Sequence, residues 1–388
     1  MSSGLSDLRW KYGVNCVKIL KLNWVLYAHT GGNGRMSQVP YIIEILEELV
    51  NIPSPSGYTK RIMERIEAEV DSLGFSHTKN RRGGLLITVP GTGAGVLGLS
   101  AHVDTLGAMV RSIRPDGTLS FVSVGGFMME SVEGSYCRIL TREGREFTGT
   151  IETTSPSVHT YDDARTLERR ESNMEVRIDE EAASREEVEA LGIAPGDFIS
   201  FDPKFSYTES GFIKSRHLDD KASVAILLGL LRYLKDTGKQ PEKTLIIAIS
   251  NYEEVGFGCS FLPPEVEELL AVDMGAVGAD LKGEERRVSI CARDSSGPYD
   301  FDMTNRLISL AREYGIDYAV DVFPHYSSDV SAALRGGNDI RGALIGPGVR
   351  ASHGQERTHR KGLEQTWLLL AAYVGVLERE LPRKFYRK

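Results

Sequence analysis

The sequence predicts an α/β protein: a mostly parallel sheet flanked by helices, with a small β-rich domain inserted into it. Three observations carry this. Short apolar runs (85–90 and 96–100, bounded by Gly and Pro, and 245–250) alternate with stretches of helical period (39–51, 220–235), the signature of strands packed between helices. The run 96–100 lacks polar alternation, as a central strand covered on both faces would. Between about Ala108 and Pro203 the pattern changes to short alternating segments (109–113, 119–124, 147–151) with turns at Pro115-Asp-Gly117 and Gly125-Gly126, which predicts a compact β-domain.

Taken in order, residues 1–35 stand apart. Arg9, Lys11, Lys18, Lys21 and Arg35 against Asp7 give +4, leaving −12 for residues 36–388 of a chain whose net charge is −8. The apolar run 22–28 is too short to span a bilayer and lacks a clear cleavage site after it, and 29–35 has the composition of a linker. The segment is expected to be a disordered or non-native extension, with the folded protein starting near Met36. A helix over 39–51 presents Ile42, Ile43, Ile45, Leu46, Leu49 and Val50; Pro53-Ser-Pro-Ser-Gly57 breaks it, and a second helix follows over 58–73. The polar stretch 154–172 reads as an exposed loop, 186–191 as a short helix and 198–201 as a strand. Strands are then expected at 245–250, 277–279, 288–291, 318–322 and 343–345, and helices at 220–235, 301–314 and 362–377.

Composition narrows the class. Hydrophobic residues at 41% and charged residues at 26% of 388 are ordinary for a soluble globular chain with room for two domains. The net charge of −8 argues against a nucleic-acid or anionic-membrane surface. Cys16, Cys137, Cys259 and Cys291 form no CxxC pair, so neither a zinc ribbon nor a disulfide framework is expected, and a reducing cytoplasm fits.

Five segments place metal-ligand residues in strand-end context: His102-Val-Asp104, Asp219-Asp220, Glu253-Glu254, Asp273 and His353. In open α/β sheets ligands bind beyond the carboxyl ends of strands, where His102, Glu253, Glu254 and Asp273 all fall. Spacing of two in an extended segment puts His102 and Asp104 on one side, where the carboxylate can fix the imidazole's tautomer. Asp219 and Asp220 precede a helix; an N-cap accounts for one of them, and a carboxylate shared by two cations accounts for the pair. Adjacent glutamates at a buried strand end repel unless cations compensate, which suggests that one binds metal while the other takes a proton. Glu356, Arg357 and His359 could hold substrate; His217, His325 and Asp329 are secondary candidates. Cys259 lacks a matched His partner and is not expected to be a nucleophile.

This order of motifs resembles the glutamyl aminopeptidase and tetrahedral aminopeptidase family of di-metal peptidases. Pro53-Ser-Pro-Ser-Gly57, Val124-Gly-Gly-Phe127 and Leu191-Gly-Ile-Ala-Pro-Gly-Asp197 extend the resemblance, which runs from Met36 to the C-terminus. It implies a phosphorylase/hydrolase-like peptidase domain over 36–107 and 204–388, holding two divalent ions (zinc or cobalt) per subunit. Asp219 would bridge the ions, His102 and Asp273 would complete one site, and Glu254 and His353 the other. Glu253 would be the general base, Asp104 the partner of His102, and the Asp219–Asp220 peptide cis. The barrel-like insertion, 108–203, would serve dimerisation, with dimers assembling into twelve-subunit shells. The loop 350–359, Phe257-Gly-Cys259 and the charged stretch 154–172 depart from the common pattern and leave substrate preference open.

The expected function is a cytoplasmic metal-dependent aminopeptidase that hydrolyses short peptides through a metal-activated bridging water and Glu253. One alternative is a metal-dependent amidohydrolase of capped or unusual small peptides, related to osmolyte metabolism. Another is a catalytically silent metal-stabilised assembly, against which the glutamate pair argues. No nucleic-acid or membrane partner is expected.

Overall fold

The computed structural model describes residues 38–378, so the extension expected over 1–35 lies outside the described residues. Helix α1 (Val39–Val50) buries the six apolar side chains named above and ends at Asn51, just ahead of Pro53. Helix α2 (Lys60–Leu73) buries Ile62, Met63, Ile66, Val70 and Leu73, then stops at Gly74, whose φ of +79° is a left-handed C-cap. Strands β1 (Ser76–Lys79) and β2 (Leu85–Val89) form a hairpin, and β3 (Val96–His102) runs into the sheet centre.

The chain then leaves the sheet. Strands β4 (Gly107–Ile113), β5 (Leu119–Val124), β6 (Tyr136–Leu140), β7 (Glu146–Thr153), β8 (Met174–Ile178) and β9 (Phe198–Phe201) close a barrel in the order β4-β5-β8-β7-β6-β9. Alternate residues such as Val110, Phe121, Ile139, Ile151, Val176 and Ile199 fill its core, with Val188 of the short helix α3 (Arg185–Ala190) packed on it. Residues 154–170 contain turns and bends but no helix or strand.

On its return the chain forms β10 (Ser206–Tyr207), β11 (Phe212–Ser215) and α4 (Leu218–Thr237). The Asp219–Asp220 peptide is cis, as expected, and both residues have non-helical φ/ψ, so the regular helix begins at Lys221. Strands β12 (Thr244–Ser250), β13 (Glu268–Val272), β14 (Gly275–Ala276), β15 (Val288–Asp294) and β16 (Gly297–Pro298) follow, then α5 (Phe301–Tyr314), β17 (Tyr318–Val322) and α6 (Asp329–Arg335). Strands β18 (Arg341–Val349) and β19 (Glu356–His359) and helix α7 (Arg360–Tyr373) complete the order. The strand expected at 277–279 is absent: pairing with β18 ends at Ala276, and the chain turns away at Gly278.

The main sheet runs β1-β2-β12-β3-β13-β18-β15-β16, with β14 beside β18 and β17 beside β15. It is mixed rather than mostly parallel. The ladders β12–β3, β3–β13 and β13–β18 are parallel, while hairpin and return connections make β1–β2, β2–β12 and β15–β18 antiparallel. The uninterrupted apolar runs reflect cover on both faces. Leu245, Ile247 and Ile249 join the core beneath α1, α2, α4, α5 and α7, whereas Ile246 and Ala248 join a second core with Cys259, Leu262 and Val330. A small sheet, β10-β11-β19, pairs Ser215 with Glu356 and so sets β19 beside the start of α4. Among the described residues no helix is long and apolar enough to cross a membrane.

Candidate active site

The parallel ladders bring their carboxyl ends level. Ser250 lies in register with His102, so the turn after β12 carries Glu253 and Glu254 to the side of β3 that ends in His102. Asp273 follows β13, His353 follows β18, and Asp219 enters from the start of α4. Two groups result among the described residues: His102, Asp219 and Asp273, and Asp219, Glu254 and His353, each with one ligand atom per residue within 4.8 Å of the others. Asp219 belongs to both. Its Oδ1 lies 3.2 Å from Nε2 of His102, and its Oδ2 lies 3.4 Å from Nε2 of His353.

Each imidazole is oriented by a main-chain carbonyl. Nδ1 of His102 lies 3.0 Å from the Asp104 carbonyl oxygen, and Nδ1 of His353 lies 2.5 Å from that of Gly126. A carbonyl can only accept, so Nδ1 carries the proton in both rings and Nε2 is turned toward the carboxylates. Asp104 therefore partners His102 through its main chain, its carboxylate being further off at 3.5 Å. The carboxylate instead accepts from the amides of Glu253 (3.1 Å) and Glu254 (3.2 Å) and from Ser56 Oγ (2.5 Å). It thus fixes the turn that presents the two glutamates. Asp220 is buried beside Asp219, and its Oδ2 accepts the His102 amide at 3.2 Å.

The electrostatics follow from packing acids together out of water. Burial, with repulsion from neighbouring carboxylates, raises Glu253, Glu254 and Asp273 above the ordinary carboxylate range. Burial opposes the charged form of Asp219, but His102 and His353 outweigh it and lower its pKa. Burial likewise disfavours both imidazolium ions, and the facing carboxylates reverse this, pushing His353 up to about 11 and His102 well above its usual value. The protein alone thus holds more buried negative charge than its imidazoles offset. Among the described residues Oε1 of Glu254 is buried without a hydrogen-bond partner, which leaves it free to serve as a ligand atom. An imidazole-and-carboxylate donor set with charge to spare suits divalent ions of the zinc type.

A cleft of about 360 Å³ opens over the cluster, with Met274, Ser295, His325, Tyr326, Ser327 and Ser352 among its walls. Of the other residues singled out in the sequence, Glu356 is 2% exposed and accepts from the amides of Asp219 (3.1 Å) and His353 (3.1 Å). Arg357 pairs with Glu285 and stacks 3.8 Å over Phe212; His359 bonds to the Ser210 carbonyl; neither lines the cleft. His217 is buried, 3.4 Å from the Phe201 carbonyl. Asp329 takes hydrogen bonds from Ser250 Oγ and the Cys259 amide, bracing the glutamate turn from behind. The contacts of Ser56 and Gly126 were missed because they join residues 48 and 227 positions apart, and a hydroxyl or a main-chain carbonyl leaves no periodic trace in a sequence.

A water-accessible cleft over strand-end imidazoles and carboxylates is the kind of site at which an α/β protein can carry out metal-assisted hydrolysis. Comparison with known proteins narrows the class. Residues 83–369 match the M42 glutamyl aminopeptidase family. YhfE of Bacillus subtilis strain 168 is 48% identical over 341 residues, covering 87% of this chain and 99% of that protein. The glutamyl aminopeptidase of Lactococcus lactis is 27% identical over 218 residues, 55% of this chain and 60% of that one. The TET1 peptidase of Pyrococcus horikoshii, which can assemble into a tetrahedron or a large octahedral shell, superposes with a TM-score of 0.76 at 27% identity, over 87% of this chain and 100% of that one. The chain belongs to the M42 glutamyl aminopeptidase family, and is thus a hydrolase of the aminopeptidase class.

Proposed function

We propose that this chain is a di-metal aminopeptidase that releases N-terminal residues from short peptides. The observation that carries the reading is the division of Asp219, one oxygen toward His102 and the other toward His353. His102, Asp219 and Asp273 would hold one ion, and Asp219, Glu254 and His353 the other. Two divalent ions bound there supply positive charge that polarises a scissile carbonyl and makes a water more acidic. The remaining work falls to the protein. Glu253 belongs to neither group, yet its Oε2 lies 3.7 Å from Nε2 of His102, at the edge of the cluster. It would accept the proton of the attacking water and return it to the leaving amine nitrogen as the C–N bond breaks. Asp104 holds the Glu253 amide, so it acts by positioning. Self-association through the barrel accompanies this reading, supported by Met128 at 72% and Tyr136 at 63% exposure on the inserted segment.

The test is a panel of free-amine and N-acetylated short peptides offered to chelator-stripped protein, with and without Zn²⁺ or Co²⁺. Metal-restored release from free-amine peptides alone is the expected result. Cleavage of capped peptides alone would replace the reading with an amidohydrolase, and no turnover of either would leave a silent assembly.

A further inference from the structure

The motif Val124-Gly-Gly-Phe127 belongs to the barrel, yet it ends at the metal-ligand cluster. The Gly126 carbonyl accepts from Nδ1 of His353, and Ser131 Oγ lies 3.5 Å from the His353 carbonyl. His353 needs such support. It sits on a loop with a φ of +64°, its side chain is 40% exposed, and none of its own strand's ladder reaches it. The same barrel segment is tied down from the opposite side. Arg216, 5% exposed and three residues ahead of Asp219, donates to the Ser131 carbonyl and, at 3.0 Å, to Ser135 Oγ. Gly125 lies flush against the site: with φ at +79°, a Cβ there would sit 2.5 Å from Leu106 Cδ2 and 3.4 Å from the Glu254 carbonyl oxygen. His102 has no such dependence, since its orienting carbonyl comes from Asp104 in its own segment.

We propose that barrel residues 125–135 form a positioning clamp for His353, so that the inserted domain governs the ion held by Asp219, Glu254 and His353 and leaves the other ion alone. This rests on the two-ion reading above. A carbonyl that fixes the tautomer and orientation of a ligating imidazole is worth about 10–100-fold in metal affinity. The clamp therefore converts contact between two domains into occupancy of one metal position, and barrel displacement would empty that position first.

The test is Zn²⁺ titration of stripped protein by calorimetry, with bound metal counted after dialysis, for wild type, Gly125→Val, Arg216→Met, His353→Ala and Arg216→Met combined with His353→Ala. Wild type is expected to bind two ions. Gly125→Val and Arg216→Met should each weaken one ion by about 10–100-fold and leave the other unchanged. Arg216→Met should weaken metal binding no further in the His353→Ala background, because a residue acting through His353 has nothing left to act on, whereas Gly125→Val also presses on Glu254 and is not read in that background. Arg216→Met keeps an apolar side chain of similar length in place, so it carries the test if Gly125→Val does not fold. Two unchanged ions in the folded variants, equal weakening of both ions, or additivity of Arg216→Met with His353→Ala would each overturn the clamp. A wild type that binds fewer than two ions would overturn the two-ion reading and the clamp with it.

Discussion

Replacing Glu253 by Gln removes one negative charge while preserving side-chain volume and the main-chain bond from the Glu253 amide to Asp104. The side chain is 11% exposed and lies outside both three-residue groups, so the ligand atoms of His102, Asp219, Asp273, Glu254 and His353 stay where they are. Its carboxylate adds to the repulsion within the cluster, as does that of Glu254, so the substitution relieves repulsion and leaves folding unharmed. What is lost is the proton acceptor. General acid–base catalysis contributes about 10²–10⁴-fold, equivalent to about 2.7–5.4 kcal/mol of activation free energy at 1.36 kcal/mol per decade. Steady-state kinetics on a free-amine peptide should show kcat reduced by that factor with KM near the wild-type value, and bound metal should remain at two ions. Wild-type kcat would refute the assignment of Glu253 as base. Loss of metal with loss of activity would refute the division of labour between Glu253 and Glu254.

Three further outcomes follow from the same geometry. Glu356→Ala strands the buried amide of Asp219, at about 1–3 kcal/mol, and frees the part-buried amide of His353, and denaturant unfolding of the stripped protein should register the loss; unchanged stability would remove Glu356 from the support of the site. Gly346→Ala would place a Cβ 1.4 Å from the Asp273 carbonyl oxygen, so the variant should lose Asp273's ion or fail to fold, and full metal content with wild-type unfolding would contradict the packing. The described residues lining the cleft include no Lys or Arg, so an acidic first residue meets no side-chain ammonium or guanidinium there and faces Asp219, Glu253, Glu254 and Asp273. Glutamyl substrates should therefore be cleaved at least about tenfold less efficiently in kcat/KM than leucyl or seryl ones, and a preference for glutamyl would reverse that conclusion.

What could be read from the sequence, and what could not, divides along physical lines. Elements with a strong period were legible: the stripe of α1, the run of β3 and the run of β12 each announce a buried face. The polar edge strand β1, Ser-His-Thr-Lys, has no apolar side to announce, and it was missed. Parallel pairing was overestimated because an apolar run reports burial on both faces but not the direction of its neighbours. For the site, the topology gathers strand ends at one place, and the structure brings the side chains of His102, Asp219, Glu253, Glu254, Asp273 and His353 together there. Glu356, Arg357 and His359 were grouped with substrate because they are polar and near His353 in sequence. Their strand, β19, pairs with β11, which turns Glu356 toward main-chain amides beside a small pocket shared with Asp219, Glu254 and His353, and Arg357 toward Glu285 and Phe212. Contacts made by main-chain groups, such as Gly126 to His353, depend on tertiary position alone.

The most direct test of the account is the metal content of stripped and reconstituted protein, measured for wild type and for Asp219→Ala. Two ions per chain in wild type, with both lost or severely weakened in the variant, is the predicted result, since Asp219 is the residue common to both groups. One ion in wild type, or two ions retained without Asp219, would contradict it.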